Sequence, residues 1–297
     1  MGKPLKSLKT IRCEVETDDD FNVISEFPEY ITNHTEYTPA GSIKSEKSFD
    51  LNGELQEKIE YLFDDMDNLK EQLMYYDEDE VVERRTFNYD ETGKLIRVNK
   101  YYSEDTFEYT SYFYDQNGKL VEKKKFSHDD EHEETEQFEY LDEKLVRESV
   151  FDQDMKLIRE ERLVIDNNTL ERQMMDIDSG TTTVSEEYDE QGQKIKTFFY
   201  DKKDRLITRR LYFYEDGRVC KITEETASGT ETTLLHYNKN GDIILQEEID
   251  ANDFYRSRIT RDYSDDNILM KTLVYVNNYG KTADLNYILK FEYEYYE

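Results

Sequence analysis

Tyr89-Asp90-Glu91-Thr92-Gly93-Lys94-Leu95 returns 25 residues later as Tyr114-Asp115-Gln116-Asn117-Gly118-Lys119-Leu120, and again as Tyr188-Asp189-Glu190-Gln191-Gly192-Gln193-Lys194-Ile195. Each copy is an aromatic residue, a cluster of turn formers and an aliphatic residue. Aspartate after the aromatic can accept a hydrogen bond from the backbone two residues on, and glycine supplies the positive φ of a tight hairpin, as at Gly93, Gly118, Gly192, Gly217 and Gly241. Looser copies begin at Tyr200, Tyr214 and Tyr237. The motif therefore marks the turn between two strands.

Working outward, Phe63, Tyr89, Tyr114, Tyr140, Ile165, Tyr188, Tyr214, Tyr237 and Tyr263 keep one phase, with steps of 23 to 26 residues. Phe49, Tyr76, Phe151 and Tyr200 lie about midway, and polar clusters such as Ser103-Glu104-Asp105 fill most other midpoints. The chain thus turns roughly every 13 residues, which leaves strands of about eight residues and about 26 Å. A repeat is the first feature to settle, because it decides the architecture. Only Lys58 to Met74, with Ile59, Leu62, Phe63, Met66, Leu69 and Leu73, also suits a helix. The expected fold is all-β: a repetitive antiparallel meander of about 18 strands, more than an open sheet usually holds before it curls, forming a twisted, half-wrapped single sheet. Residues 1–45, with Pro28 and Pro39 and no good copy of the repeat, are expected to form an atypical N-terminal cap, and 46–297 the repeat domain, whose stretch Phe291–Glu297 alternates like a final edge strand.

The repeat resembles the YD repeat of the Rhs and teneurin family, which pairs tyrosine-aspartate with a turn glycine and a following basic-aliphatic pair. The resemblance rests on residues 89–95 and 114–120 and extends in period over most of 49–270, but Tyr140-Leu141-Asp142, Phe151-Asp152-Gln153-Asp154-Met155 and Tyr263-Ser264-Asp265-Asp266-Asn267 depart from it. Variant MORN-type hairpin repeats look similar, although true MORN units are richer in glycine. The family resemblance implies β-sheet shells or ribbons that enclose or bind other proteins, and scaffolding rather than chemistry.

Composition narrows the function. The chain carries 70 Asp+Glu and 39 Lys+Arg, a net charge of −31, and 40 aromatic residues, 25 Tyr and 15 Phe, which argue against disorder. Such charge repels phosphate backbones and anionic headgroups, so neither nucleic acid nor a membrane is an expected partner, and a basic protein is. Cys13 and Cys220 are too few for a disulfide framework, and residues 1–16 contain no long apolar run, so the cytoplasm is the expected compartment. No P-loop, His-Glu-x-x-His, Gly-x-Ser-x-Gly or Gly-x-Gly-x-x-Gly motif is present, and no catalytic residue, cofactor or metal ligand is nominated. His128 and His132 would share a face only on a helix, and the Asp-rich turns Asp64–Asn68 and Asp152–Asp154 lack the full loop of a calcium site.

The features with direction are the acidic runs. Asp77, Glu78, Asp79 and Glu80, and Asp129, Asp130, Glu131, Glu133 and Glu134, are the candidate partner-binding residues, since complementary charge speeds association and sets specificity. The expected function is non-enzymatic protein binding, in its most specific form an immunity protein or inhibitor of a basic toxin. The alternative is a scaffold or assembly subunit of a bacterial secretion or defence apparatus, self-associating through open edge strands. A third class, an enzyme with a cryptic site, would require a deep pocket with a perturbed carboxylate.

Overall fold

The structure is a computed structural model that describes residues 3–297 apart from 19–21, 78–79, 104, 167–168, 177, 179 and 278–283. Among the described residues every regular element is a strand, and the 23 strands belong to one antiparallel sheet. Lys58–Met74, the one stretch that also suited a helix, is a hairpin of β5 (Leu55–Phe63) and β6 (Leu69–Tyr75). Its apolar residues alternate across a turn at Asp64–Asn68 instead of lining a helical stripe.

The expectation of an open, half-wrapped sheet of about 18 strands is overturned. β1 (Leu5–Thr17) pairs antiparallel with β23 (Asp284–Tyr295) from Leu5↔Tyr295 to Val15↔Asn286, and also with β3 (Tyr30–Tyr37). First and last strands are therefore neighbours, and the ladder closes as an antiparallel barrel of 22 strands, the short β2 (Val23–Glu26) being the extra one. Residues 291–295 pair with β1, and β23, which contains them, is no edge strand, because its residues 284–290 pair on the other side with β22 (Leu269–Val276). Closure satisfies the backbone groups that an open meander of this length leaves bare at two edges. Period alone could give the hairpins but not the meeting of the two ends.

The turns explain the motif residue by residue. Asp90 Oδ1 accepts the backbone N–H groups of Thr92 (2.8 Å) and Lys94 (3.0 Å), while Gly93 N–H donates to the Asp90 carbonyl (3.0 Å) and sits at φ 82°. Asp115 repeats this with Asn117, Lys119 and Gly118. Where glycine is missing the same left-handed position is held by Asp67, Asp130, Met155, Asp204, Asp253 and Asn267. Aspartate and asparagine tolerate that region better than other residues with a Cβ. The carboxyls of Asp64, Asp90, Asp115, Asp201 and Asp250, which begin such turns, are held below the ordinary range by donors within the turn, and side-chain donation by Arg205 brings Asp201 down to about 2.

Tyrosine does a second job, between repeats. The Tyr114 hydroxyl donates to the Leu95 carbonyl (2.8 Å), Tyr89 to Leu69 (2.9 Å), Tyr237 to Val219 (2.7 Å) and Tyr293 to Leu269 (2.8 Å). Lys94 Nζ lies 5.4 Å from the Tyr114 ring centroid, and Lys119 Nζ 5.2 Å from that of Tyr140. The lysine and leucine of one turn thus receive the tyrosine of the next, and tyrosine-aspartate with lysine-leucine is a clasp between repeats. Tyr114→Phe keeps the ring and removes one bond, so unfolding free energy should fall by about 1 kcal/mol; a loss under about 0.3 kcal/mol in urea melts would count against the clasp.

The chain packs as two compact units, Met1–Tyr61 with Met74–Val81 and Tyr212–Glu297, and Leu62–Leu73 with Val82–Leu211. In the first, Cys13, Val15 and Ile288 are buried together with Leu273 packed against them, and the register places Cys13 opposite Ile288 and Ile288 opposite Leu273. This apolar core sits where the closure is made. In the second, the buried residues include Thr135, Ser149, Glu160 and Thr197, small or polar groups covered by longer neighbours.

Candidate functional site

In the second unit, β7 (Val81–Tyr89), β8 (Leu95–Tyr101), β9 (Phe107–Tyr114), β10 (Leu120–Phe126) and β11 (His132–Leu141) carry chemistry on both faces. Paired residues share a face, so the register sorts them. On one face Arg97, Asn99 and Tyr101 stand opposite Ser111, Tyr109 and Phe107, and Phe126 stands opposite both Tyr109 and His132. On the other, Arg85 and Lys100, Lys100 and Glu108, Lys125 and Glu134, and Lys123 and Glu136 are opposed.

The first face holds an aromatic row. Tyr101 and Phe107 have centroids 5.0 Å apart, Tyr109 stacks on Phe126 at 4.7 Å, and Phe126 meets His132 edge-on at 5.7 Å. Arg97 lies over the Tyr109 ring at 3.6 Å and Arg84 over Tyr101 at 5.0 Å. Offset rings and stacked guanidinium groups attract beyond the area they bury. Sequence reasoning missed this row. Its signal was the alternation Phe107-Glu108-Tyr109 beside Tyr101 and Phe126, which flank the turns of the second phase and lack the repeat's aspartate-glycine signature.

Part of the acidic segment closes this row. Asp130 accepts the Tyr109 hydroxyl proton, which raises the phenol above its ordinary pKa. Asp129 lies 3.1 Å from His128, Glu133 bridges to Lys125 (3.0 Å), and Glu134 sits in register with Lys125. Hydrogen bonding to Glu133 raises Lys125, with Glu108 as its second partner. Glu131 is exposed, its N–H bonded to Ser127 Oγ (3.2 Å). His132 Nε2 is 2.7 Å from Thr135 Oγ1, so the two histidines do not converge. In the first unit, Asp77 Oδ1 accepts the N–H of Glu80 (2.9 Å), while Glu78 and Asp79 lie outside the described residues.

Many strand bases are matched, while several turn acids are not. Lys100 bridges to Glu83 (3.2 Å), Lys123 to Glu136 (2.7 Å) and Lys124 to Glu122 (2.9 Å). Asp65, Glu91, Glu131, Asp154 and Glu190, all in turns, have no basic partner among the described residues. No three His, Cys, Asp or Glu side chains converge as a metal site among the described residues, and the Asp64 and Asp152 turns of the sequence analysis are hairpin turns whose Oδ1 atoms accept backbone N–H groups. The first unit has two open clefts, of about 630 Å³ beside Phe291, Tyr293, Met270 and Lys9, and of about 510 Å³ beside Asn238, Asn240, Asn267 and Arg261.

These features define a class: a closed antiparallel hairpin-repeat barrel with salt-bridged faces and acidic turns. Among solved structures it is similar to a porin-like protein from Bacteroides uniformis ATCC 8492, at 12% identity and TM-score 0.33 over 99% of this chain and 98% of that one. It is also similar to TcdB2-TccC3 in two forms, at 11% and 12% identity and TM-scores 0.23 and 0.25, where it spans only 22% and 19% of those chains. Likeness at this level carries no argument about function. No family model matches the sequence. No curated protein matches it either.

Proposed function

We propose that this chain is a non-enzymatic acidic protein that binds a basic protein partner, in its most specific form an immunity protein or inhibitor of a basic toxin. The observation that carries the reading is the division of charge: strand bases such as Lys100, Lys123 and Lys124 are taken up by carboxylates on the same or a neighbouring strand, whereas turn acids such as Glu91, Glu131 and Glu190 have no basic partner among the described residues, in a chain with 31 more acids than bases. Uncompensated exposed charge steers and selects an oppositely charged partner. The YD-like clasp fits the same reading, since the YD repeats it resembles enclose or bind proteins. The scaffold alternative, built on open edges, has fewer edges to use once β1 and β23 pair.

The two faces support an aqueous location. A barrel strand that crosses a membrane turns an apolar band of about 25 Å to lipid, and a lysine or arginine at its middle costs about 2–4 kcal/mol. Here Arg97 and Lys124 occupy mid-strand positions on one face of the second unit, and Lys123 does so on the other. In the first unit Arg12 and Arg261 lie on one face, and Lys271 and Lys290 on the other. Free Cys13 and Cys220 suit the cytoplasm.

Pull-down with the tagged chain from its native lysate, at about 0.1 M and about 0.5 M salt, tests the reading, because salt screens exposed pairs most. We expect one basic protein at low salt, weakened at high salt and by Glu91→Lys with Glu131→Lys and Glu190→Lys. Recovery of the chain alone, or of a salt-insensitive assembly, would overturn it in favour of the scaffold.

A further inference from the structure

In an antiparallel meander every second connection lies at the same end of the strands. Antiparallel pairing runs from β20 (Ile243–Ile249) through β21 (Tyr255–Tyr263), β22, β23, β1, β3 and β4 (Ile43–Phe49) to β5, all in the first unit. Four connections at one end of that unit, residues 27–29, 50–54, 76–80 and 250–254, each turn one large apolar side chain to solvent. Phe27 is 46% exposed, Leu51 71%, Tyr76 61% and Phe254 52%. The connections at the unit's other end, 38–42, 216–217, 238–242 and 264–268, expose none. Single apolar residues scattered over a surface are ordinary, but one in turn after turn at one end only is a pattern. Successive turns stand two strands apart, so Phe27, Leu51 and Tyr76 span about 20 Å, within the footprint of one ordinary protein interface.

The turns that carry these side chains are held from within. Asp50 Oδ1 accepts the N–H groups of Asn52 and Glu54 (both 2.8 Å), Asp77 Oδ1 that of Glu80 (2.9 Å), and Asp250 Oδ1 those of Asn252 (2.8 Å) and Phe254 (3.0 Å). A side chain presented on an ordered backbone loses less freedom when a partner covers it. Tyrosine and phenylalanine are favoured at interface cores and lysine is depleted there; residues 50–54, 76–80 and 250–254 contain no lysine or arginine.

Charge selects the occupant. Those three turns hold eight acids, Asp50, Glu54, Asp77, Glu78, Asp79, Glu80, Asp250 and Asp253, against four acids and Lys239 in the turns of the other end. Glu54, Glu80 and Asp253 are exposed and have no basic partner among the described residues. We propose that this end of the first unit is the docking surface for the basic protein partner, with Phe27, Leu51 and Tyr76 as apolar anchors and Glu54 and Glu80 beside them to receive its cations. This deepens the basic-partner reading above and rests on it. Such a surface pairs a few apolar anchors with complementary charge that selects the partner. An anionic bilayer or a second copy of this end fits poorly, since each brings like charge against the eight acids.

The test uses the full chain and a fluorescein-labelled amphipathic peptide of lysine and leucine, roughly 18 residues long, followed by anisotropy at about 0.1 M salt. A second peptide has glutamine in place of leucine and so keeps the charge. We expect saturable binding of the leucine peptide, weakened at least tenfold by Leu51→Ser with Tyr76→Ser at unchanged circular dichroism, and at least tenfold weaker binding of the glutamine peptide. Glu54→Lys with Glu80→Lys should weaken binding at least threefold, while Asp265→Lys with Asp266→Lys at the other end should stay within twofold of wild type. Absence of binding up to about 1 mM, equal binding by the double serine variant and wild type, or an equal loss from charge reversal at either end would overturn the docking surface. Loss in Glu91→Lys/Glu131→Lys/Glu190→Lys with none in the serine variant would sink this surface and leave the basic-partner reading standing. Loss in the serine variant with none in Glu54→Lys/Glu80→Lys would keep an apolar surface but overturn its basic occupant.

Discussion

Ile288→Ala is expected to lower the unfolding free energy by about 2–5 kcal/mol, the range for removing most of a fully buried aliphatic side chain. Ile288 is 2% exposed and shares its site with Cys13 and Val15, each 1% exposed, so the space left by its truncation is enclosed by residues of β1 and β23. Cys13 is itself held in place, its sulfur donating to the Phe27 carbonyl (3.1 Å). Because this is where the ladder closes, the loss should appear together with faster hydrogen exchange along Lys9–Val15 and Asn286–Glu292. Ile244→Ala, at a position 37% exposed, serves as the control and should cost under about 1 kcal/mol. Urea melts in which the two variants behave alike would show that closure draws its stability from elsewhere.

Legibility followed the range of the interactions. The turn at Asp90–Lys94 is local, five residues with their own hydrogen bonds, and its sequence announces it. The strand spacing follows from such turns, and so the all-β meander was readable. Closure depends on Cys13 meeting Ile288, 275 positions apart, and no periodic signal reports such a pairing. The N-terminal stretch also hid its strands, since β1 to β3 lack the aspartate-glycine turns that mark the repeats. The acidic segment 129–134 was visible as charge, but its division was not: Glu133 is spent on Lys125 and Asp130 on Tyr109, while Glu131 has no basic partner among the described residues. Cross-strand neighbours decide which acids are free, and those neighbours come from register.

Glu160 shows what such neighbours do in energetic terms, and gives the second large effect. Its side chain is 5% exposed and lies between Arg147, whose Nη2 is 2.5 Å from Oε2, and Arg162, which bonds Oε1. Ser149 Oγ donates to the same carboxylate (3.4 Å), and Arg147 reaches on to Glu139 (3.0 Å). Removing the carboxylate leaves two guanidinium groups facing one another. Charged hydrogen bonds are worth about 1.5–3 kcal/mol each, but both arginines reach water, which screens them; Glu160→Ala should therefore cost about 2–3 kcal/mol in all. Glu160→Gln should cost less, since it keeps the shape and one acceptor. The pH dependence separates charge from packing. Burial alone would push this carboxyl up, yet donation by Arg147 and Arg162 holds it below the usual glutamate range. A depressed folded-state pKa means the unfolded chain binds the proton first as acid is added, so the stabilisation is present above the ordinary glutamate value of about 4.3 and is lost as pH falls through the folded one. The gap between wild type and Glu160→Gln should accordingly stay constant from about pH 8 to about pH 5.5 and narrow progressively as pH falls below about 4.3. A gap that does not narrow in acid would assign the effect to packing, and one that widens in acid would reverse the sign of the coupling to the two arginines.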